Sequence, residues 1–187
     1  MRVGGVVLAA GEGRRFGGTK QLAPLRGRPL LEHAVGAMLA VPALSPVVVV
    51  LGHDAAAIRE RVDLDGAEVV VCEGWREGQA ASLRAGIAAL GPVDAGVVLL
   101  GDQPFVTPQV IAAVLDAGDF DAVRATYGGE PGHPVLLTRP LLDRVGDLEG
   151  DTGFRPLLEG RRVRRLEAGH LCDGGDIDTP EQLRAAS

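Results

Sequence analysis

Val3 to Lys20 reads VGGVVLAAGEGRRFGGTK, and the fold is decided by what this stretch contains. Its first half, Val3 to Ala9, is an apolar run of strand length. Its second half combines four glycines with two arginines and a lysine. Glycines let a backbone turn sharply and bring its N–H groups close to phosphate oxygens, which cationic side chains can then surround. The stretch therefore predicts a buried strand that leads into an anion-binding loop.

Two better-known glycine-rich loops fit this stretch poorly. A dinucleotide-binding turn needs Gly-x-Gly-x-x-Gly at the start of a helix, whereas here Gly11 and Gly13 are followed by Gly17, one residue late. A Walker A loop ends in Gly-Lys-Ser/Thr, which this stretch lacks. A plain structural turn remains an alternative for the loop taken alone.

Beyond the loop, apolar runs of strand length alternate with helix-compatible stretches. Strands are predicted at residues 47–51, 68–72 and 96–100, and helices at 29–40, 54–62, 82–90 and 107–117. This alternation is typical of a parallel sheet with helices on both faces. We therefore expect an α/β fold, Rossmann-like and three-layered, with a mostly parallel central sheet. Asp102 follows the 96–100 strand, and ligands of such sheets bind outside the carboxyl ends of the strands.

The last third of the chain is less regular. Strands are predicted at residues 122–126, 134–137 and 163–166, with a helix from Pro140 and a last helix that Thr179 caps. Asp54 and Thr107 occupy the same capping position before two earlier helices. Four arginines between residues 161 and 165 are typical of a solvated face, and a phosphate contact is the alternative.

The composition excludes several classes of protein. The 187 residues carry a formal net charge of −6, whereas nucleic acids and anionic membranes need a basic surface, so neither is an expected partner. No stretch approaches the roughly 18 consecutive apolar residues of a membrane-spanning helix. Cys72 and Cys172 have no metal-binding spacing and are expected as free thiols. We expect one domain, residues 1–187, in the cytoplasm.

Five motifs, in order along the chain, resemble those of one family. After the loop Leu8–Lys20 come EGQAASL from Glu77, LGDQP from Leu100, GHPV from Gly132 with GDTG from Gly150, and DIDTPE from Asp176. Together they are similar to the nucleotidyltransferases with a molybdenum-cofactor type NTP transferase fold, and most to the molybdopterin cytidylyltransferases and their guanylyltransferase relatives. The resemblance spans nearly the whole chain. It implies the nucleotide-diphospho-sugar transferase type of the α/β fold.

The resemblance implies where the nucleotide binds. The loop backbone would hold base and ribose, and the implied nucleotide-binding set is Leu8, Ala9, Ala10, Gly11, Gly13, Lys20, Gln79, Ser82 and Asp102. Arg15 and Lys20 would neutralise the triphosphate, and with Asp102 they form the catalytic set. Attack on the α-phosphorus builds charge on its oxygens and on the departing pyrophosphate, so cations placed there stabilise the transition state. Arg14 is expected in solvent.

A metal site is implied as well. Asp102 and Asp178 correspond to the metal-binding pair of the family, and Mg²⁺ prefers one or two carboxylates together with phosphate oxygens and waters. Asp176 is the alternative second ligand. The segment is also typical of a helix start with Thr179 at the N-cap, and both interpretations can hold together.

The acceptor side is the least defined. His133 and Asp151 fall in family segments that face the acceptor, so the resemblance implies an acceptor-binding role for both. For His133 a hydrogen-bonded structural histidine is the alternative, and Trp75 is either a packing residue or a stacking platform. Many relatives carry Met in place of Gln79 and Ala in place of Phe154. These departures leave the base and the acceptor open.

The expected reaction moves a nucleoside monophosphate from a magnesium-bound NTP, CTP before GTP, to a small phosphorylated acceptor of the molybdopterin type, with release of pyrophosphate. A sugar, polyol or phospholactate phosphate is the alternative acceptor. A non-catalytic nucleotide-binding or cofactor-binding protein is the alternative class. A molybdoenzyme or a chaperone that inserts the cofactor would be the protein partner.

Overall fold

The computed structural model describes residues 1–187. Its strands are β1 (Val3–Ala9), β2 (Pro24–Leu25), β3 (Arg28–Pro29), β4 (Leu44–Leu51), β5 (Glu68–Val71), β6 (Ala95–Leu100), β7 (Ala122–Tyr127), β8 (Glu130–Thr138) and β9 (Val163–Glu167). Its helices are α1 (Leu30–Leu39), α2 (Ala55–Arg61), α3 (Gln79–Ala89), α4 (Pro108–Leu115), α5 (Arg139–Leu142), α6 (Arg155–Leu158) and α7 (Pro180–Ala186). None of these helices is long and apolar enough to cross a membrane.

One seven-stranded sheet, in the order β5-β4-β1-β6-β8-β7-β9, forms the centre of the molecule, and β2 and β3 pair as a separate hairpin. β1 pairs in parallel with β4 and β6, and β8 is antiparallel to both of its neighbours. Six strands therefore run in one direction and β8 runs against them. The predicted α/β fold with a mostly parallel sheet is confirmed.

The core lies on both faces of this sheet. One cluster joins β1, β4 and β6 to α1 and α4, and the other joins them to α3 and α5. Small residues let the layers approach closely, as at Gly86 of α3, where an added Cβ would lie 2.6 Å from Val6 Cγ1 and 2.8 Å from Val50 Cγ2. Burial of β1 on both faces explains why its sequence is continuously apolar instead of alternating.

Several element bounds differ from the predicted ones. Helix α3 begins at Gln79, three residues before the predicted start, because Gly150 and Asp151 accept hydrogen bonds from its first N–H groups. Strand β8 extends from Glu130 to Thr138, well beyond 134–137, because it pairs with β7 as a hairpin. Pairing between distant segments sets both bounds, so a local pattern could not give them.

The three predicted helix caps have different outcomes. Thr179 forms a full capping box with Gln182 at the start of α7, as expected. Asp54 and Thr107 occupy the N-cap positions of α2 and α4, but neither side chain makes a capping hydrogen bond. Asp54 has a left-handed backbone, with φ of 52°, instead of the extended one typical of an N-cap, and its carboxylate accepts a hydrogen bond from the Thr19 hydroxyl.

The structure agrees with the predictions for the two cysteines and for the four arginines between residues 161 and 165. Cys72 and Cys172 are both free thiols. Arg161, Arg162, Arg164 and Arg165 are all exposed at β9 and the turn before it. Arg162 lies within 4 Å of two nearby aspartates, so at least this arginine already has counter-charges.

Candidate active site

An open cavity of about 470 Å³ lies at the carboxyl ends of β1 and β6. Most of the residues predicted for the site border it: Leu8, Ala9, Ala10, Gly11, Gly13, Arg15, Lys20, Gln79, Ser82, Asp102, Asp151 and Asp178. The fold brings them together because parallel strands place the loops after their carboxyl ends at one edge of the sheet. Residues distant in sequence thereby share one cavity.

Two aspartates and a lysine meet on one wall of the cavity. Lys20 Nζ lies 2.6 Å from Asp102 Oδ2 and 2.9 Å from Asp178 Oδ1. Arg15 reaches the other oxygen of Asp178, with its terminal nitrogen 2.7 Å from Oδ2. The second oxygen of Asp102, Oδ1, is buried and has no hydrogen-bond partner. Such an orphaned buried acceptor costs free energy unless a ligand or ion pairs with it.

Asp102 is held in place by its backbone neighbours. The N–H of Gly101 donates to Leu8 O at 2.9 Å, which ties the end of β6 to β1. An added Cβ on Gly101 would lie 2.9 Å from the Ala9 Cβ and 2.8 Å from a Leu31 side-chain carbon, so a larger residue does not fit. Close packing at Gly101 thus fixes the direction in which the next residue leaves the strand.

Asp178 is brought to the same wall by the segment before α7. Ile177, 2% exposed, packs in a small cluster with Leu25 and Leu30, and its N–H donates to Asp102 O at 2.9 Å. The Gln182 side-chain oxygen accepts from Asp178 N at 2.7 Å, beside its capping-box bond from Thr179 N at 2.9 Å. The helix cap and the site therefore use the same residues.

The charges of this cluster depend on one another. Burial lowers the pKa of Lys20, but the two carboxylates outweigh burial, so its pKa is raised and the amine stays protonated at neutral pH. Burial raises the pKa of Asp102 above its ordinary value, against the influence of Lys20. Burial also acts to raise the pKa of Asp178, but Lys20 and Arg15 outweigh it and the pKa is lowered.

The glycine-rich loop is supported by a residue that the sequence gave no reason to select. Gln21 is buried, and its side-chain amide donates to Ala9 O and Gly11 O, each at 2.9 Å. Gly13 has φ of 67°, and an added Cβ there would lie 2.6 Å from Gly18 O. These contacts hold the loop in one shape. A polar residue after Lys20 carries no pattern that would have distinguished Gln21.

The far end of the cavity is formed by α3 and the 3-10 helix before it, Trp75–Glu77. The Arg76 guanidinium lies 4.4 Å from the Trp75 ring centroid, and an added Cβ on Gly52 would lie 2.7 Å from Trp75 Cβ. Trp75 is therefore a packed residue that also borders the cavity. Asp151 Oδ1 accepts from Gln79 N at 2.8 Å, which occupies this carboxylate as a cap of α3.

His133 lies apart from the other predicted site residues. It is 9% exposed, does not border the cavity, and its ring centroid is 5.8 Å from that of Phe154. Burial, with a smaller contribution from the Arg124 charge, lowers the pKa of His133 to about 3, so the ring is neutral. The ring is buried as in a structural histidine, but its Nε2 lacks the hydrogen bond expected of one, and the acceptor-binding role stays a prediction without a contact to support it.

Arg14 takes the position expected for a solvated residue. Its side chain is 84% exposed and pairs with Glu12 at 2.9 Å. Glu12 and Arg76, which also border the cavity, were not selected from the sequence because single exposed charges carry no local signal.

The carboxylates fit a magnesium ion. No group of three or more His, Cys, Asp or Glu side chains forms an all-protein metal site in this structure. Mg²⁺ does not need one, since it commonly binds through one or two carboxylates together with substrate phosphates and waters. The unpartnered Oδ1 of Asp102 and the adjacent Asp178 supply such a donor set.

Comparison with known proteins assigns the class. The family described as the MobA-like NTP transferase domain matches residues 5–168. The chain therefore belongs to this family of nucleotidyltransferases.

Individual relatives cover nearly the whole chain. Nicotine blue oxidoreductase from Paenarthrobacter nicotinovorans is 33% identical over 193 residues, which covers 97% of this chain and 94% of the relative. A 2-C-methyl-D-erythritol 4-phosphate cytidylyltransferase from Cereibacter sphaeroides is 33% identical over 196 residues, covering 100% and 84%. The crystal structure of Rv0371c from Mycobacterium tuberculosis superposes with a TM-score of 0.90 at 33% identity, covering 100% and 97%. The same protein in complex with manganese superposes with a TM-score of 0.79, covering 100% of this chain and 98% of that protein.

Proposed function

We propose that this chain transfers a nucleoside monophosphate from a magnesium-bound NTP, CTP before GTP, to a small phosphorylated acceptor of the molybdopterin type. The observation that carries this proposal is the meeting of Lys20, Asp102 and Asp178 on one wall of a cavity that the glycine-rich loop also borders. Nucleotidyl transfer needs carboxylates that bind a metal ion, cations that bind phosphate, and backbone groups that contact the nucleotide. Membership of the family supports the same reaction class.

Asp102 and Asp178 are the proposed holders of Mg²⁺. When bound, the metal would neutralise charge on the triphosphate and on the oxygens of the α-phosphorus. Asp178 is favoured over Asp176 because Asp178 borders the cavity and pairs with Lys20, whereas Asp176 is exposed and does not border it. A relative of this chain, Rv0371c, has been crystallised in complex with manganese, which is in keeping with a divalent cation.

The reaction requires no protein nucleophile. An oxygen of the acceptor phosphate forms a bond to the α-phosphorus while the bond from the α-phosphorus to the bridging oxygen breaks. Pyrophosphate then leaves with that electron pair. Because the acceptor phosphate is already ionised near neutral pH, the protein contributes by positioning and by charge. Arg15 and Lys20 would contact the triphosphate oxygens, where negative charge develops.

A polyol phosphate is the second candidate acceptor. The observation that favours it is the 33% identity, over the full length of this chain, to a cytidylyltransferase for 2-C-methyl-D-erythritol 4-phosphate. A shared fold does not fix the acceptor, because acceptor choice depends on a few side chains around the site. Asp151 is one such side chain: it borders the cavity, and its Oδ1 already caps α3.

A redox reaction is suggested by the name of another relative, nicotine blue oxidoreductase. Hydride transfer from a nicotinamide or flavin uses the chemistry of the cofactor and needs no pair of metal-binding carboxylates. Asp102 and Asp178, drawn together by Lys20, would have no part in such a reaction. Nucleotidyl transfer therefore remains the proposal, and the redox reaction becomes an arm of its test.

The test is pyrophosphate release by the purified protein with Mg²⁺, comparing CTP, GTP, ATP and UTP. Molybdopterin, its molybdenum form and 2-C-methyl-D-erythritol 4-phosphate serve as acceptors in separate reactions, and oxidation of NADH and NADPH is followed in parallel. We expect acceptor-dependent pyrophosphate release, fastest with CTP and molybdopterin.

The other outcomes would change the proposed substrate or overturn the proposed reaction. Release with GTP alone would reverse the base preference, and release with the polyol phosphate alone would replace the acceptor. Oxidation of a reduced nicotinamide without any pyrophosphate release would overturn the proposal. NTP binding without turnover on any acceptor would favour a binding protein. If the molybdopterin reaction holds, a molybdoenzyme or an insertion chaperone is the protein partner that we propose.

A further inference from the structure

We infer that Lys20 is an internal counter-ion that blocks the metal site until the metal arrives together with a triphosphate. This inference rests on the proposed function, because it concerns the same two carboxylates. Its consequence is an order of binding. The divalent cation alone should bind poorly, and nucleotide and cation should bind as a pair.

The position of the Lys20 amine is the first observation. Nζ lies within hydrogen-bond distance of one oxygen from each carboxylate, 2.6 Å from Asp102 and 2.9 Å from Asp178. Arg15 holds the other oxygen of Asp178, so only Asp102 Oδ1 lacks a cationic partner. A divalent cation held by both carboxylates would therefore need an oxygen that Lys20 or Arg15 already holds. Lysine and a metal ion therefore compete for one place.

Burial makes this competition strong. The side chains of Lys20, Asp102 and Asp178 are only 12%, 20% and 15% exposed, respectively. Removing two carboxylates from water without a cation is costly, and Lys20 meets that need when no metal is bound. A metal ion that enters beside the ammonium group meets like-charge repulsion, which water screens poorly at a buried site.

A bound triphosphate would offer the Lys20 amine other anionic partners. Lysine has a flexible stem and forms strong hydrogen bonds to phosphate oxygens as well as to carboxylates. Lys20 borders the cavity beside the glycine-rich loop, where the triphosphate is proposed to bind. It can therefore exchange the two carboxylates for phosphate oxygens without losing ionic partners, and the carboxylates then become free for the metal ion that accompanies the nucleotide.

The experiment measures Mn²⁺ binding without any nucleotide, by the electron paramagnetic resonance signal of free Mn²⁺ at pH 8. Lys20→Met keeps an unbranched side chain of similar length and removes the charge. We expect Lys20→Met to bind Mn²⁺ at least about tenfold more tightly than the wild type, since the competing cation is gone. Unchanged or weaker binding by the folded variant would overturn the inference.

Two control variants separate charge from other effects. Lys20→Arg keeps the positive charge, and Arg14→Met removes one charge of the same loop that is 84% exposed and pairs with Glu12. Both should bind Mn²⁺ within about threefold of the wild type. Tightening by either control as large as that of Lys20→Met would also overturn the inference, because local charge at residue 20 would then not be the cause.

The design keeps two possible failures apart. Circular dichroism first checks that each variant is folded, and Lys20→Gln replaces Lys20→Met if the latter is not. Because no nucleotide or acceptor is present, the titration does not depend on which reaction is catalysed. Tighter Mn²⁺ binding by Lys20→Met, together with no turnover of any NTP by the wild type, would support the counter-ion role of Lys20 and reject the proposed function alone.

Discussion

At the residue scale, two aspartates flank the same isoleucine, and only one of them, Asp178, borders the cavity. Ile177 is buried and tied to Asp102 by a backbone hydrogen bond, which fixes the backbone between Asp176 and Asp178. Asp178 reaches Lys20 and Arg15, whereas Asp176 is exposed and borders a separate groove with Phe105. Anchoring of one apolar side chain thereby decides which carboxylate enters the cavity.

Replacement of either proposed metal ligand should abolish turnover. We expect Asp102→Ala and Asp178→Asn each to lower kcat/KM for pyrophosphate release by at least about a thousandfold, because each removes a carboxylate that the metal would need. Far-ultraviolet circular dichroism should show that both remain folded. The measurement is the Mg²⁺-dependent release of pyrophosphate under saturating acceptor.

Asp176→Asn is the matched control, since it makes the same chemical change two residues from Asp178. We expect its kcat/KM to stay within about fivefold of the wild type, because Asp176 is exposed and does not border the cavity, so water screens its charge near Asp102 and Asp178. A loss as large as that of Asp178→Asn would make Asp176 a ligand. Asp102→Ala with activity within a few-fold of the wild type would reject the metal site itself.

At the element scale, helix α3 depends on a segment more than sixty residues away in sequence. Gln79 N donates to Asp151 Oδ1 at 2.8 Å, and Ala80 N donates to Gly150 O at 3.0 Å. Gly78 has φ of 108°, and an added Cβ there would lie 2.5 Å from the Gly150 carbonyl carbon. The helix start and the distant turn therefore fit together only where residue 78 has no side chain, and both border the cavity.

Gly78→Ala should weaken this contact. We expect the free energy of unfolding to fall by at least about 2 kcal/mol, because both a positive φ and a clash with backbone atoms oppose the methyl group. The KM for NTP should also rise, since the start of α3 borders the proposed nucleotide site. Urea unfolding and initial-rate kinetics are the measurements.

Gly91→Ala provides the comparison for this variant. Gly91 also has a positive φ, 64°, but an added Cβ there meets nothing within 4 Å. Its cost should be that of backbone strain alone, about 1 kcal/mol, with an unchanged KM. Equal losses for the two variants would show that the packing of α3 against Gly150 contributes little.

At the scale of the whole molecule, a buried neutral histidine links stability to pH. His133 lies in β8, the one reversed strand of the central sheet, packed near Phe154, and its Nε2 has no hydrogen-bond partner. Its pKa is lowered from an ordinary value of 6.5 to about 3. Between these two values the unfolded chain binds a proton that the folded chain does not, so stability falls as the pH falls.

Replacing His133 should therefore reduce the sensitivity of the fold to acid. From pH 7 to pH 5, the free energy of unfolding of the wild type should fall by about 1–2 kcal/mol more than that of His133→Leu. Leucine leaves no buried polar atom unpaired, so the variant is expected to fold. Urea unfolding at pH 7, 6 and 5 measures this difference, and parallel pH profiles for the two proteins would contradict it.

The mostly parallel α/β fold, the glycine-rich loop after its first strand and the family could be predicted from the sequence. Apolar runs, glycine spacing and the order of the motifs are local or one-dimensional features, and they carry this information without knowledge of packing. The resemblance of these motifs to the family selected Lys20, Asp102 and Asp178, because each stands at a fixed place in a motif. The structure places all three on one wall of the cavity.

Which groups touch depends on how the elements pack, and the sequence did not reveal it. Gln21 supports the loop, and Asp151 caps α3. His133 lies outside the cavity, and Lys20 lies between two carboxylates. Each of these contacts joins side chains or backbone groups whose partners depend on how distant elements pack. Hydrogen bonds and burial of this kind leave no periodic trace in a sequence, because a single polar residue looks the same whether its partner lies in solvent or across the sheet.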